Sequence, residues 1–316
     1  MSASPSNAIL ALDAGGTFFK SALVLPSGEI PPASRRSARV DSQGEAAGIL
    51  AAHATLIRCA LACATPAGLR IAAIGVSTPG PFDYANGASL MTHKFASIRG
   101  LNLRGALESA VPEIRGVPWR FVHDAHAFIL GEQQRGAARG HANAAGVTIG
   151  TGVGLGCILD GKIRDNGAGG PLVSIYNKPC RDSVLEDYVS RRGIIRLFHA
   201  RRELAGLAPD ARIAALDVAD IAALARAPEG GAESGAARAA FHEAGALLGE
   251  TLRPILRELA ITCLVTGGQI SKSFDLLGPA LRDALGDAGA GRRLVTAAQN
   301  PDDAALHGAA LAAGNH

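Results

Sequence analysis

Two stretches of the sequence share one pattern, in which a glycine turn separates two short apolar runs. In the first, DAGGTFFK at residues 13–20 lies between apolar runs at 8–12 and 22–25. In the second, GTGVG at residues 150–154 lies between apolar runs at 145–149 and 155–159. A turn between two apolar runs is typical of a β-hairpin. The repeated pattern predicts an α/β chain with two domains built on one plan.

The first turn carries the residue types of a phosphate site. Asp13 ends the first predicted strand, Gly15 and Gly16 leave backbone amides exposed, Thr17 adds a hydroxyl, and Lys20 enters the second strand. Backbone amides in such a turn bind phosphate oxygens, and a carboxylate at a strand end can hold Mg²⁺. An ordinary glycine hairpin is the alternative interpretation, because glycine pairs are common in tight turns.

Composition excludes several classes of protein. A chain of 316 residues with 48% hydrophobic residues has enough apolar material for two cores. Its net charge of +3, without a long basic run, is too small for a nucleic-acid partner. We find no leader pattern and no apolar stretch approaching the length of a membrane span, so we expect a cytoplasmic protein without a membrane partner. The five cysteines form no CxxC pair, and we expect no disulfide framework.

Three further strand ends carry candidate functional residues. STPGPFD at 77–83 follows an apolar run at 71–76 and predicts a loop at the edge where open α/β sheets bind ligands. HDAHAFILGE follows an apolar run at 119–122 and places Asp124 where a strand meets a helix. Asp124 is there either a general base or a helix cap favoured by the helix dipole. TGGQIS follows an apolar run at 261–265 and forms a third glycine turn, suited to a nucleotide.

These motifs together resemble one family. In chain order DAGGTFFK, STPGPFD, HDAHAFILGE, VTIGTGVGLGCILDGKI, VLEDYVS, TGGQIS and LHGAALAA resemble the ROK family of sugar kinases, within the actin-like ATPase superfamily. The resemblance implies an α/β fold of two actin-like, ribonuclease H-like domains with a ligand cleft between them. We expect residues 1–122, completed by a helix at about 300–316, to form the first domain and 123–299 the second. No helix-turn-helix precedes DAGGT, so the chain resembles the kinase branch rather than the repressors.

The resemblance also assigns roles by position. Asp124 matches the catalytic base, and Asp13 would hold Mg²⁺. ATP contacts are expected from Asp13, Gly15, Gly16, Thr17, Lys20, Gly150, Thr151, Gly152, Gly267, Gly268 and Gln269. Substrate contacts are expected from Gly80, Pro81, His123 and Glu186. His123 stands where the family usually has a sugar-binding Asn, and we add His93 because it flanks the expected substrate loop.

Two family motifs are altered. The family's GExGH segment, with a sugar-binding Glu and a His that touches sugar and zinc, should fall within 167–176, which reads GAGGPLVSIY. The family's CxCGxxGC zinc loop is reduced to Cys180, with Val184 in place of its last cysteine. Structural zinc sites use about four nitrogen or sulfur ligands. We therefore predict that this chain has no zinc site.

The sequence thus favours a kinase that uses ATP and Mg²⁺ to phosphorylate a sugar or sugar-like polyol, with Asp124 as general base. We also expect a homodimer. The alternative is a ligand-binding or regulatory protein that keeps the fold without turnover. The missing Glu and His favour that alternative, whereas the intact Asp13, Lys20 and Asp124 favour the kinase.

Overall fold

The structure is a computed structural model and describes residues 6–92, 94–228, 231–286 and 293–314. The strands are β1 (Ser6–Ala14), β2 (Phe18–Val24), β3 (Arg36–Arg39), β4 (Leu69–Thr78), β5 (Phe82–Asp83), β6 (Ala88–Ser89), β7 (Trp119–His123), β8 (Ala144–Ile149), β9 (Val153–Leu159), β10 (Lys162–Arg164), β11 (Pro179–Cys180), β12 (Ser183–Val184), β13 (Cys263–Gly267) and β14 (Leu294–Ala297). The α-helices are α1 (Ala46–Ala64), α2 (Leu103–Ala110), α3 (Asp124–Arg135), α4 (Glu186–Val189), α5 (Arg191–Leu204), α6 (Ala211–Ala214), α7 (Val218–Arg226), α8 (Gly231–Glu258), α9 (Phe274–Leu285) and α10 (Ala304–Gly314).

The chain forms two compact units whose sheets have the same strand order. The first unit runs to Gly136 and includes Ile163–Leu172 and the part from Asp302 on, whereas the second comprises Ala137–Lys162 and Val173–Pro301. The first sheet has the order β3-β2-β1-β4-β7, and the second has β10-β9-β8-β13-β14. β1 pairs antiparallel with β2 and parallel with β4, just as β8 pairs with β9 and β13. Both hairpins predicted from the glycine turns are therefore present.

Helix α1 covers one face of the first sheet. Its residues Ile49, Leu56 and Ile57 are buried in one cluster with Leu10 and Leu12 of β1. By length and composition α1 is apolar enough to cross a membrane, which corrects our expectation that no stretch approaches that length. Because its apolar stripe packs on the sheet, α1 has the arrangement of a core helix in a globular domain.

Helices α3 and α10 also belong to the first unit and cross with their backbones in contact. A Cβ built on Gly131 would lie 1.9 Å from the carbonyl oxygen of Ala304, and one on Gly308 would lie 1.7 Å from that of Ala127. Such an approach is open only to glycine, so this crossing depends on both positions. Because α3 packs on α10, the first unit reaches Gly136 and not the residue 122 that we expected from the sequence.

The sequence DSVLEDYVSRRGIIRLF at residues 182–198 predicts one long helix, but the second unit does not fold it as one helix. The structure has β12, the single turn α4, and then α5, which begins at Arg191. Ser190 separates the two helices because its backbone is extended, with φ −70° and ψ 174°. Its Oγ accepts a hydrogen bond of 3.4 Å from the amide of Gly193. Ser190 therefore ends α4 and caps α5.

Candidate active site

Asp13 lies at the end of β1, between the strands that pair with β1 on either side. Its neighbours in register are Lys20 on β2 and Ser77 on β4. The Ser77 hydroxyl donates a hydrogen bond of 2.8 Å to Asp13 Oδ1. Burial raises the pKa of Asp13, and the Ser77 hydrogen bond and the charge of Lys20 oppose that rise. A carboxylate that is poorly solvated but fixed at a strand end is well suited to a divalent cation.

The first glycine turn follows Asp13 and is closed by a hydrogen bond of 3.1 Å from the amide of Gly15 to the carbonyl of Phe18. Gly16 is half-buried and Thr17 is exposed. Lys20 leaves the turn along β2, where its Nζ lies 3.1 Å from Asp302 Oδ1. The structure thus places the predicted phosphate residues together, with the ammonium group of Lys20 engaged by a carboxylate of the same unit.

Asp124 is the first residue of α3, and His123, not Asp124, occupies the capping position. Asp124 Oδ1 accepts a hydrogen bond of 2.7 Å from the amide of Ala125 and lies 3.0 Å from His123 Nδ1. The Asp124 side chain remains 37% exposed. Burial lowers the pKa of His123, so its imidazole is neutral at neutral pH. Asp124 therefore combines a fixed orientation with access to an incoming group.

The loop containing Gly80 and Pro81 lies beside His123. A Cβ built on Gly80 would lie 3.3 Å from Tyr84 Oη and 3.7 Å from His123 Nε2. The structure therefore brings together Gly80 and His123, for both of which we expected substrate contacts, and adds Tyr84. No motif pointed to Tyr84; the only signal was an aromatic residue shortly after a Pro-Gly loop. His93, which we expected to contact substrate, lies outside the described residues.

In the second unit, the second glycine turn is closed on itself. The amide of Gly150 donates to the carbonyl of Gly152 at 2.9 Å, and Thr151 is exposed. Glu186 of α4 lies against this turn, because its Oε2 accepts a hydrogen bond of 3.2 Å from the amide of Val153. Its Oε1 lies 3.2 Å from Arg192 Nη2. Glu186, for which we expected a sugar contact, is thus hydrogen-bonded to the predicted phosphate turn.

The third glycine turn lies directly on the second. β13 ends at Gly267, and Gly268 has φ +83°, so that a Cβ there would lie 2.3 Å from the carbonyl oxygen of Ile149. Gln269 then begins a short 3-10 helix, Gln269–Ser273, before α9. The second unit thus gathers the predicted nucleotide residues of both turns at the ends of β8 and β13.

The residues of the two units fit a nucleotide and Mg²⁺ in chemical type. Asp13 offers a carboxylate, and the amide-rich turns offer donors for phosphate oxygens. Nothing lies within 4 Å of a Cβ built on Gly150, so the surface of this turn is open. Within residues 6–92, 94–228, 231–286 and 293–314, no group of three or more His, Cys, Asp or Glu side chains is placed to hold a metal ion. Cys180 lies buried in β11, and burial raises the pKa of its thiol.

Comparison with known proteins gives one family. The model of the ROK family matches residues 9–315. The chain is 26% identical over 201 residues to a glucokinase of Thermotoga maritima, a match covering 60% of this chain and 60% of the glucokinase. It is 30% identical over 141 residues to the DNA-binding transcriptional repressor Mlc of Escherichia coli, covering 42% of this chain and 34% of the repressor. The matches therefore span less than two thirds of either curated relative.

A solved structure extends the likeness to the fold of the whole chain. A ROK family glucokinase from Streptomyces griseus, crystallised with glucose and AMPPNP, is similar with a TM-score of 0.76 and 24% identity. The similarity covers 98% of this chain and 100% of that one. Together with the duplicated strand order, it confirms the predicted α/β fold of the actin-like, ribonuclease H-like type.

Proposed function

The chain belongs to the ROK family, and from this membership we propose that it is an ATP-dependent kinase of a sugar or sugar-like polyol. The observation that carries the proposal is the placement of Asp124. Its accessible carboxylate lies at the end of β7, within electrostatic reach of Asp13 at the end of β1. An accessible carboxylate and a partly buried one, at the ends of two strands that flank β4 in the same sheet, correspond to the base and the metal ligand that phosphoryl transfer requires.

Asp124 would act as the general base. Phosphoryl transfer needs positioned reactants, neutralised charge and an acceptor for the proton of the attacking hydroxyl. The amide of Ala125 donates a hydrogen bond to Asp124 Oδ1 and fixes that oxygen. The other carboxylate oxygen is then available to accept the proton. Substrate contacts from Gly80, Pro81, His93, His123 and Glu186 belong to the same proposal.

Asp13 would hold Mg²⁺, and the amides of residues 15–17 and 150–152 would bind the phosphates. Lys20 would contribute positive charge near the phosphates, and residues 267–269 would contact the adenosine. When bound, the nucleotide supplies the phosphoryl group and Mg²⁺ neutralises its charge. We further propose that the protein acts in the cytoplasm as a homodimer, without zinc, nucleic acid or membrane as a partner.

A regulatory protein that binds ligand without turnover is the second candidate. The chain's similarity to the repressor Mlc favours it, as does the glycine-rich segment at 167–176 that replaces the usual sugar-reading residues. The accessible carboxylate of Asp124 argues for the kinase, because a sensor has no need of a proton acceptor.

The deciding experiment measures ADP release with Mg²⁺-ATP across a panel of hexoses, amino sugars and polyols. We expect saturable, sugar-dependent ADP release from the wild-type protein. A control variant, Asp210→Asn, removes a half-buried carboxylate that pairs with the nearby Arg212, and it should behave as wild type. If calorimetry shows nucleotide binding while every panel member leaves ADP release at background, the regulatory candidate replaces the kinase.

A further inference from the structure

Tyr84 is anchored beside the candidate base. Its side chain follows β5 and is 8% exposed. The ring centroid lies 5.3 Å from that of Phe82 and 6.1 Å from that of His123. Phe82 in turn lies 5.3 Å from Phe121 of β7. The phenol is therefore held by a cluster of tilted rings that continues into the sheet, and its position is fixed before any substrate arrives.

The hydroxyl of Tyr84 is poorly satisfied within the protein. It donates to the carbonyl of Thr78 over 3.5 Å, whereas a good O–H···O bond spans about 2.7–2.8 Å. The hydroxyl, the Nε2 of His123 and the bare backbone of Gly80 surround one point, the position of a Cβ built on Gly80. Burial and the negative charge of Asp124 raise the pKa of Tyr84, so the hydroxyl stays protonated and serves as a donor.

The segment Ile163–Leu172, which belongs to the first unit, also packs against the side chain of Tyr84. Gly169 has φ +83°, and a Cβ there would lie 3.0 Å from the Cβ and Cδ2 of Tyr84. The segment is folded into a tight turn, because the side-chain Oδ1 of Asn166 accepts from the amides of Ala168 and Gly170. Gly169 is therefore matched to the bulk of Tyr84, and the two residues pack together as one wall.

We propose that Tyr84 is a substrate-specificity residue. Its hydroxyl donates a hydrogen bond to an oxygen of the phosphoryl acceptor, near the hydroxyl that faces Asp124, and its ring limits the size of the acceptor on the Gly169 side. This inference rests on the proposed kinase function and deepens it. The acceptor must carry an additional oxygen close to the reacting hydroxyl, as sugars and polyols do and simple alcohols do not.

The test uses the full-length protein with D-glucose, D-mannose, D-glucosamine, N-acetyl-D-mannosamine and xylitol as acceptors. Tyr84→Phe removes the hydroxyl and keeps the ring, so we expect the KM for the acceptor to rise about tenfold, the cost of one hydrogen bond. The KM for ATP should stay within about twofold of wild type, because only the acceptor contact is lost. Ser109→Ala is the control, because it removes an exposed hydroxyl whose hydrogen bond, to the carbonyl of Gly105, stays within α2, and it should leave every constant unchanged.

Tyr84→Ala tests the steric part of the proposal. Opening the wall should shift the ratio of kcat/KM toward N-acetyl-D-mannosamine over D-mannose by about tenfold, because a bulkier acceptor then fits. Unchanged acceptor KM in Tyr84→Phe would overturn the proposal, whether or not Tyr84→Ala folds.

Failure of the kinase function would appear differently. If the wild type phosphorylates none of the five acceptors, their dissociation constants are measured by calorimetry with AMPPNP present. Weaker sugar binding by Tyr84→Phe, and not by Ser109→Ala, would support the role of Tyr84 in a protein without turnover. Equal binding, or no binding of any acceptor by the wild type, would overturn the assignment of Tyr84 itself.

Discussion

The two units have one strand order but different residues at corresponding strand ends. In the first unit, β1 carries Asp13 at its end, β4 ends in Ser77 and Thr78, and β7 leads from His123 into Asp124. In the second, the corresponding strands β8, β13 and β14 end in uncharged residues, namely Thr148, Ile149, Thr266, Gly267, Thr296 and Ala297. Topology brings strand ends together at one edge of each sheet, whichever residues they carry.

The difference indicates that the two units contribute different kinds of chemical group to a site. The first unit supplies ionisable side chains, which suit a cation and a proton. The second supplies backbone amides in two stacked glycine turns, which suit phosphate oxygens. Within the second unit, Glu186 Oε2 accepts a hydrogen bond from the second glycine turn. Its carboxylate is therefore engaged, whereas the carboxylate of Asp124 remains accessible. The two units thus share a strand order and carry different residue types at the corresponding strand ends.

The largest effect should come from removing the carboxylate of Asp124. Asp124→Asn keeps the shape and the acceptor oxygen for the amide of Ala125, so melting temperature and nucleotide affinity should stay near wild type. Turnover of the best acceptor in the sugar panel should fall by about 10²–10⁴ because the proton acceptor is lost. Steady-state kinetics and thermal melts measure both. Turnover within a few fold of the wild-type value would remove Asp124 from the mechanism and weaken the contrast between the units.

The sequence predicted the strand ends well and the contacts around them poorly. The hairpins at Asp13 and Gly150 could be predicted because glycine turns and apolar runs are local signals. Tyr84 and the return of Ile163–Leu172 to the first unit could not, because they depend on packing between segments far apart in the chain. The capping position of His123 was missed because Asp is the commoner cap. Ser190 divided a helix that its apolar pattern alone predicted to be continuous.

Acid should destabilise the first unit through its buried histidines. Burial lowers the pKa of His53 and of His126 to about 4, from an ordinary 6.5. The folded state therefore binds fewer protons than the unfolded state, and stability that is complete above pH 6.5 declines as the pH falls toward 4. At pH 5 each histidine should cost about 2 kcal/mol. Trp119 of β7 is the single tryptophan of the chain, so its fluorescence in urea reports unfolding of the first unit.

His53→Leu isolates this contribution. His53 Nε2 is buried without a hydrogen-bond partner, and the ring lies 4.0 Å from that of Phe19, so leucine suits the site. The variant should lose about 2 kcal/mol less stability than wild type between pH 7 and pH 5. His242→Gln, at an exposed position of α8, is the control from the second unit and should follow the wild-type curve. Parallel pH curves for wild type and His53→Leu would show that His53 is not the acid-sensitive group.

The smallest expected effect comes from a substitution at Gly150, which tests whether the second unit binds phosphate through its backbone amides. Gly150 has open space around a Cβ and lacks a positive φ, so Gly150→Ala should fold with an unchanged melting temperature. If phosphate oxygens approach this turn, the added methyl group must crowd them, and the KM for ATP should rise about tenfold while the acceptor KM stays constant. Gly235→Ala in α8 adds a methyl group in equally open space, and as a helical substitution it should change only stability, upward by at most about 1 kcal/mol. An ATP KM that is equal in the two variants would mean that nucleotide does not touch the Gly150 turn. The added methyl group at Gly150 contacts no protein atom, so only a bound ligand can be displaced by it. With an unchanged KM for ATP, the second unit would share the hairpin of the first unit but would not bind phosphate at this turn.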